Sequence, residues 1–443
     1  MKRTLFTCLA VLLVVLIAAT GCTPQASPAS PATSAPESAA APASTSAAPA
    51  STAAAEPVTL TFALWDTNQA KGLRTMADEF EAANPGIKIE FQLNDWASYW
   101  TALEAAGTGG ALPDVFWMHS NNIYKYASNN MLMDLTDLIA KSDTVKMDNF
   151  PKGLVQIYNL DNKQYCIPKD YDTIGLWYNK TMFDAASIEY PDESWTWDDL
   201  YNAAKKLTKS DGSQYGFLAP LHNQEGFYNF VYQNGGTIIT ADKQSGYTDP
   251  KTVEAMEFYV KFVQDKLSPQ EFGDSTRVTW LESGKCAMGL FGSWNLAGFA
   301  DNDYMKENFD VTYLPKSNSG GQASIFNGLG YAIAANTKHP AEAWKWVKYL
   351  GSEAGQKRQA ELGIAISAYN GTAEAWVKAN PTFNVKCYID MVKYAQIRPY
   401  SNNTSVWEDK AYELLKGAFT GDKTMAKACE DAAAMMNEAL AQE

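Results

Sequence analysis

Aromatic residues stand beside short polar residues at several points of this 443-residue chain, which contains 13 tryptophans and 23 tyrosines. The groups are Trp65-Asp66, Trp117 with His119-Ser120, Tyr171-Asp172, Phe227-Tyr228-Asn229, Ser293-Trp294-Asn295 and Trp407-Glu408. An aromatic ring stacks against the C–H face of a polyhydroxylated ring, while acids and amides bind hydroxyl groups. These groups therefore favour a ligand of the carbohydrate type.

Each tryptophan has a competing interpretation as core packing, and the surrounding pattern helps to choose between the two. Trp294 follows a strand-like run from Ala287 to Phe291 and a break at Gly292-Ser293, so it is the first large side chain past a strand end. We favour binding for Trp294 and Trp117. We favour core packing for tryptophans inside helix-like stretches, namely Trp280, Trp344 and Trp346.

The motifs of common enzymes are absent from the sequence. It contains no nucleophile elbow, phosphate-binding loop, zinc-protease motif or dinucleotide-binding glycine set. Asp66, Asp170 and Asp172 could serve a glycoside hydrolase only if two of them converged. The same acids could instead hold a cationic solute such as a polyamine, and a cell-surface adhesion module is a further alternative. We expect a protein that is not an enzyme and that needs no cofactor.

The formal net charge of −14 argues against nucleic acid as a partner, because no basic patch could neutralise phosphates. The six cysteines show no metal-ligand spacing, so we expect no metal site. Disulfides and free buried thiols are both compatible with the spacing of Cys166, Cys286, Cys387 and Cys429.

The first 21 residues have the pattern of a signal peptide. Lys2-Arg3 is a short positive segment, and the apolar run from Leu5 to Ala19 is too short to span a membrane comfortably. Small residues then precede Cys22, as in bacterial lipoproteins, which predicts lipidation of that cysteine. The alternative is a plain secretory signal that leaves Cys22 free.

Residues 22–57 consist almost entirely of Ala, Ser, Thr and Pro. Such a composition has no large apolar side chains to bury, which predicts a disordered stalk between the membrane and a globular body. The body begins with strand and helix patterns in alternation. Strands are predicted at 58–65, 87–91 and 115–118, and helices around 73–80 and 99–106. This order favours a largely parallel sheet, with ligands at the strand carboxyl ends.

The body resembles the bacterial extracellular solute-binding proteins of ABC importers, in the sugar-binding branch. The landmarks in order are Phe80–Ile89 (FEAANPGIKI), Pro113–Trp117 (PDVFW), Tyr165–Lys180 (YCIPKDYDTIGLWYNK), Trp195–Leu200 (WTWDDL), Gly284–Trp294 (GKCAMGLFGSW) and Asn327–Ile333 (NGLGYAI). Each piece is weak alone, whereas six in order after a lipoprotein leader are specific. The likeness runs from about Leu60 to the C-terminus.

The resemblance implies an α/β fold of two lobes, each a mostly parallel sheet flanked by helices, joined by a multi-segment hinge. It implies an N-terminal lobe of residues 58–172 and 326–366 and a C-terminal lobe of residues 173–325 and 367–443. Crossings are then expected near 169–174, 324–327 and 364–368. A ligand that touches both lobes favours the closed state.

The family pattern also extends the set of expected ligand-binding residues. That set is Trp65, Asp66, Asn68, Trp117, His119, Ser120, Asp170, Tyr171, Asp172, Tyr228, Asn229, Trp294, Asn327, Gly328, Arg398 and Trp407. The resemblance implies a monomeric, lipid-anchored extracellular receptor that binds a mono- or oligosaccharide and delivers it to the permease subunits of an ABC transporter.

Overall fold

The computed structural model describes residues 57–273 and 276–443. The predicted signal peptide, the lipidation site at Cys22 and all of the predicted stalk but Pro57 lie outside the described residues. Within the described residues, no helix has both the length and the apolar character that a membrane span requires.

Strands and helices alternate through the chain. The strands are β1 (Val58–Leu64), β2 (Ile87–Leu93), β3 (Val115–Met118), β4 (Asn159–Leu160), β5 (Lys163–Gln164), β6 (Cys166–Pro168), β7 (Ile174–Asn179), β8 (Met288–Gly292), β9 (Phe309–Thr312), β10 (Ser324–Phe326), β11 (Gly330–Ile333) and β12 (Ala395–Ile397). The α-helices are α1 (Thr67–Ala83), α2 (Trp96–Gly109), α3 (Ile123–Ser128), α4 (Thr136–Ala140), α5 (Lys152–Ile157), α6 (Lys180–Ala186), α7 (Trp197–Leu207), α8 (Tyr228–Gln233), α9 (Pro250–Gln264), α10 (Arg277–Glu282), α11 (Leu296–Asp301), α12 (Asp303–Asn308), α13 (Pro340–Leu350), α14 (Glu353–Glu361), α15 (Ala373–Ala379), α16 (Lys386–Asp390), α17 (Thr404–Thr420) and α18 (Met425–Leu440). Shorter helical turns span Met147–Asn149, Asn223–Phe227, Ser293–Asn295 and Met391–Tyr394.

The first of two hydrophobic cores is built on a five-stranded sheet with the order β2-β1-β3-β11-β6. Strand β1 is parallel to β2 and β3, and only β11 runs against its neighbours. Phe62 of β1 packs edge-on against Trp346 of α13, with ring centroids 5.9 Å apart. The predicted β1-α1-β2-α2-β3 order is therefore confirmed, because hydrophobic periodicity and turn residues are local signals.

Local capping determines where the first helices begin and end. The side chain of Asp66 accepts hydrogen bonds from the backbone N–H groups of Asn68 and Gln69, which starts α1. Asp95 caps α2 in the same way, so α2 begins at Trp96, earlier than the predicted 99–106. Gly110 ends α2 with a φ of 68°, a conformation that favours glycine.

The second core surrounds a three-stranded sheet with the order β8-β7-β9. Both pairings are antiparallel, so the prediction of a mostly parallel sheet in each lobe is wrong for this lobe. The strands that pair are far apart in the sequence, and their relative direction has no local signature. Trp177 of β7 packs edge-on against Phe299 of α11 at 4.6 Å, well inside this core.

The chain passes between the two cores at three places that lie side by side. The passages are residues 169–173, 324–327 and 364–368. The backbone N–H of Asp172 donates to the carbonyl of Asn327 at 2.8 Å, and that of Tyr171 donates to the carbonyl of Ile366 at 3.0 Å. The passages are thus hydrogen-bonded into one connection between the cores, while the residue boundaries of the two lobes stay a prediction.

Candidate functional site

A cleft of about 860 Å³ is lined by residues from both cores. Its walls include the residues that follow β1 and β3 in the first sheet, the first passage, and the turn that follows β8 in the second sheet. Open α/β sheets bind ligands beyond the carboxyl ends of their strands, and the first-lobe wall lies at those ends. The volume lies within the range of small-molecule sites.

The first-lobe wall is aromatic. Trp65 follows β1, and Trp96 packs edge-on against it with ring centroids 5.0 Å apart. Trp100, one helical turn further along α2, lies 5.5 Å from Trp96. All three rings are partly exposed and line the cleft. Sequence reasoning missed Trp96 and Trp100, although two tryptophans four residues apart at a helix start share one helix face.

The floor beside Trp65 contains a buried lysine whose charge is paired. Lys169 forms a salt bridge with Asp170, and its Nζ donates to Oε1 of Gln69 at 2.8 Å. Gln69 in turn donates to the second oxygen of Asp66 at 2.9 Å. Asp170 also accepts a hydrogen bond from the backbone N–H of Leu329 at 2.8 Å. The carboxylate of Asp170 is therefore engaged within the protein.

Asp172 has a different environment from Asp170. Its Oδ1 accepts a hydrogen bond from Nε2 of Gln224 in the second lobe at 2.6 Å, and its side chain lines the cleft. Burial raises the pKa of Asp172 well above its ordinary value, and the nearby charge of Asp170 raises that pKa further. Asp172 thus lines the cleft with a hydrogen bond to the second lobe, whereas Asp170 is paired with a lysine. Tyr171, between them, is partly exposed in the cleft and stacks on Phe326 with centroids 5.3 Å apart.

A buried charged cluster joins the two lobes across the cleft. Arg398 forms a salt bridge with Glu408 of α17, and its guanidinium also donates to the side-chain oxygen of Asn121. Nδ2 of Asn121 donates to Glu408 at 2.9 Å, and the Tyr228 hydroxyl donates to the other oxygen of Glu408 at 3.1 Å. Asn121 follows β3 in the first lobe, whereas the other three residues belong to the second core or its flanking segments. The cluster therefore connects segments of both lobes through hydrogen bonds and an ion pair.

His119 lies in the same region and is neutral. Its Nδ1 accepts a hydrogen bond from the backbone N–H of Asn121 at 3.2 Å, so in the neutral ring Nε2 carries the proton and faces the side-chain amide of Asn327, whose Nδ2 lies 3.0 Å away. Burial lowers the pKa of His119 well below its ordinary value, and the charge of Arg398 lowers that pKa further. His119 therefore offers an uncharged polar edge to the cleft.

Trp294 forms the second-lobe wall. Its ring lies directly over Gly292, since a Cβ added to Gly292 would be 1.8 Å from Cζ3 of Trp294. The indole packs against the second core, is partly exposed, and lines the cleft. Strand β8 ends at Gly292, one residue beyond the predicted strand end at Phe291. The geometry fits a flat surface for a ligand ring.

Two of the expected aromatic surfaces are buried instead. Trp117 is 0% exposed beneath the first-lobe wall, packed edge-on against Trp65 at 5.0 Å with Nζ of Lys169 4.4 Å from its ring centroid. Trp407 is also 0% exposed, in the second core, and its Nε1 donates to Oγ of Ser401 at 2.9 Å. The prediction of ligand stacking is wrong for both, because neither ring has a face towards the cleft.

Five other expected residues lie behind the cleft wall, namely Ser120, Tyr228, Asn229, Asn327 and Gly328. Asn229 accepts a hydrogen bond from the backbone N–H of Ile325 at 2.9 Å. Gly328 permits close backbone contact, because a Cβ there would lie 2.1 Å from the carbonyl oxygen of Asp170. The structure corrects the expectation of direct ligand contact: these residues shape the wall from behind.

Asn68 is exposed outside the cleft wall, near the second lobe. Its Nδ2 would be 3.2 Å from a Cβ added to Gly298 of α11. The neighbouring Lys71 forms a salt bridge with Asp301 at 2.7 Å, so α1 meets α11 at this edge. Asn68 therefore contacts the opposite lobe instead of the cleft interior.

Cys166, Cys286, Cys387 and Cys429 are free and buried. In residues 57–273 and 276–443, no group of three or more His, Cys, Asp or Glu residues is arranged to hold a metal ion.

Comparison with known proteins agrees with this geometry. The model of the bacterial extracellular solute-binding protein family matches residues 65–357. The galactooligosaccharide-binding protein of Bacillus subtilis is 26% identical over 321 residues, which cover 70% of this chain and 72% of that protein. A maltooligosaccharide ABC transporter solute-binding lipoprotein of Streptococcus pneumoniae is 24% identical over 371 residues, 81% of this chain and 83% of that protein.

Solved structures show the same architecture. An ABC substrate-binding protein of Listeria monocytogenes, in complex with cycloalternan, superimposes with a TM-score of 0.80 at 25% identity and covers 87% of this chain and 100% of its own. A solute-binding protein of Thermotoga lettingae bound to α-D-tagatose gives a TM-score of 0.78 at 21% identity, covering 86% and 99%. The predicted two-lobed α/β fold is confirmed.

Proposed function

The chain belongs to the bacterial extracellular solute-binding protein family, and we propose that it is a membrane-anchored extracellular receptor for a carbohydrate. The ligand binds in the cleft, the lobes close around it, and the receptor delivers it to the permease of an ABC transporter. The observation that carries the proposal is the pairing of aromatic surfaces with hydrogen-bonding groups: Trp65 and Trp294 line the cleft from opposite lobes, and Asp172 lines it as well. The named ligands of the relatives are consistent with it.

The ligand class is tested by calorimetry and tryptophan fluorescence against mono- and oligosaccharides, phosphosugars and polyamines. We expect a sugar to bind with micromolar or tighter affinity and to change the tryptophan emission, because indoles form both walls of the cleft. The variant Trp407→Phe is the control, since that ring is 0% exposed. Binding of polyamines alone would replace the carbohydrate assignment.

A cationic solute is the second candidate because carboxyl groups line the cleft, among them Asp66, Asp170 and Asp172. Internal pairing weakens this alternative. Asp170 is bound to Lys169, and Asp66 caps α1 and accepts from Gln69. A neutral ligand fits these engaged acids better, since an amine would have to compete with the existing donors.

A binding role without catalysis follows the character of the family. We propose that the protein is not a hydrolase, although Asp170 and Asp172 lie close together at the cleft. Turnover of chromogenic glycosides that disappears in Asp172→Asn would contradict this proposal. We also propose that the receptor acts as a monomer, which sedimentation in the presence and absence of sugar tests.

The membrane anchor is tested separately from ligand binding. A lipid on Cys22 would hold the protein at the outer face of the membrane through the stalk of residues 22–57. We expect Cys22→Ser to move the protein from the membrane fraction to the medium or periplasm. Unchanged membrane retention would refute lipidation at this residue.

A further inference from the structure

A buried carboxylate lies beneath the second-lobe wall of the cleft. Glu225 is 0% exposed and belongs to the helical turn that precedes α8. Its Oε1 accepts two hydrogen bonds, from the backbone N–H of Gly292 and from Nδ2 of Asn295, both at 2.6 Å. These two donors are the residues that flank Ser293 and Trp294. The carboxylate therefore holds both ends of the turn that carries the indole.

The position of Gly292 determines the position of the indole. A Cβ on Gly292 would lie 1.8 Å from Cζ3 of Trp294 and 2.2 Å from both Cε3 and Cη2. The six-membered ring of Trp294 thus rests on the backbone of Gly292. Any shift of that backbone moves the surface on which the ring lies, because packed atoms transmit small displacements.

Arg277 supplies the charge that Glu225 needs in the interior. It begins α10, is 6% exposed, and forms a salt bridge with the second oxygen of Glu225. A buried carboxylate without such a partner would be strongly destabilising. Arg277 also lines the cleft. Contacts therefore connect Arg277 in the cleft, through the buried carboxylate of Glu225, to the turn that carries Trp294 in the cleft wall.

We propose that Glu225 and Arg277 are positioning residues that hold the Trp294 indole at the depth and tilt required to receive a sugar ring. The proposal rests on the carbohydrate-binding function proposed above and adds two residues to it. The Glu225 carboxylate accepts hydrogen bonds from Gly292 and Asn295 of the turn around Trp294, which is why the pair acts on the cleft wall and not only on the core.

The first test needs no ligand. The protein is labelled with 5-fluorotryptophan, and the ¹⁹F resonance that disappears in Trp294→Phe is assigned to Trp294. We expect Glu225→Gln to shift this resonance, because a neutral amide loses the pairing with Arg277 and releases the turn. We expect Gly292→Ala to shift it as well, by direct contact, while the salt bridge stays intact.

A matched control separates positioning from a general loss of stability. Thr252→Val removes a buried hydroxyl of the second lobe, whose Oγ1 donates to the carbonyl of Thr237 at 2.9 Å. Thr252 is outside the cleft wall, so we expect this variant to lower the melting temperature and leave the Trp294 resonance in place. An unchanged Trp294 resonance in Glu225→Gln would overturn the proposal even if Gly292→Ala shifts it, because Gly292→Ala acts on the ring by direct contact.

The second test is a double-mutant cycle with maltotriose and, in parallel, β-1,4-galactobiose. We expect Glu225→Gln to raise Kd about tenfold in the wild-type background and less than about twofold in the Trp294→Ala background, because coupled residues are not additive. Equal effects in both backgrounds would overturn the proposal. If neither sugar binds wild-type protein, the carbohydrate function fails for these ligands, and the resonance of Trp294 still decides the positioning role.

Discussion

Replacement of Trp294 by alanine separates a ligand-binding surface from a core residue. The indole rests on Gly292 and packs against the second core, yet it stays partly exposed in the cleft. Removing a fully buried tryptophan costs about 3–5 kcal/mol of unfolding free energy. We expect Trp294→Ala to cost less than about 3 kcal/mol, because part of the ring is already in contact with solvent.

The same substitution should have a large effect on binding. Tryptophans at the centre of binding sites commonly contribute about 2 kcal/mol or more when truncated, which corresponds to about a 30-fold increase in Kd. The assay is a titration with the tightest-binding sugar, together with denaturant unfolding of the same preparation. Titrations should use a folded fraction above nine-tenths, estimated from the unfolding curve.

Trp407→Ala is the matched comparison within the same lobe. That ring is 0% exposed and donates a hydrogen bond to Ser401, so we expect the full loss of about 3–5 kcal/mol in stability and an unchanged Kd for the folded fraction. If Trp294→Ala behaves like Trp407→Ala, with a large stability loss and no change in Kd, the reasoning about the cleft wall is refuted.

Three further outcomes are expected. Burial raises the pKa of Asp172 in the folded state, so the folded protein binds more protons than the unfolded chain at pH values between the unfolded-state and folded-state pKa, and this group's contribution to stability falls as pH rises. Melting curves should therefore show Asp172→Asn gaining stability relative to wild type as pH increases. A stability difference that does not change with pH would contradict the raised pKa. Burial lowers the pKa of His119, so the unfolded chain takes up a proton before the folded protein does and stability is lost as pH falls below about 6.5. His119→Gln should reduce this loss of melting temperature at acid pH. Identical curves of melting temperature against pH for wild type and variant would argue against the lowered pKa. The four cysteines Cys166, Cys286, Cys387 and Cys429 are free and buried, so in the Cys22→Ser protein without its leader a thiol reagent should react slowly with the native state and should label four thiols after denaturation. Reductant should leave the melting temperature unchanged. A melting temperature that changes with reductant would reveal a disulfide among these cysteines.

Local patterns in the sequence were sufficient for much of the first lobe and for one wall of the cleft. Strands β1 to β3 and helices α1 and α2 follow from alternation, helical spacing and capping residues such as Asp66, which act over a few residues. Trp294 was recognised because a strand run and a small-residue break precede it directly. The two-lobed fold followed from six ordered landmarks and not from any single one.

Tertiary packing alone decided which polar and aromatic groups reach the cleft. Trp117 follows the same local pattern as a ligand-facing residue, yet the ring of Trp65 covers it. Trp96 and Trp100 line the cleft because α2 packs against the end of β1, a contact between separate segments.

The charged cluster and the second sheet show the same limit. Arg398 was expected at the site, but its partners Asn121 and Glu408 come from distant segments and become neighbours only after folding. The antiparallel direction of β7, β8 and β9 likewise depends on pairing between distant strands. Periodicity and capping are properties of neighbouring residues, so the sequence by itself determined the elements, and its six ordered landmarks indicated the two-lobed fold. Burial and charge pairing depend on residues far apart in the chain, so only the tertiary structure decided which side chains form the site.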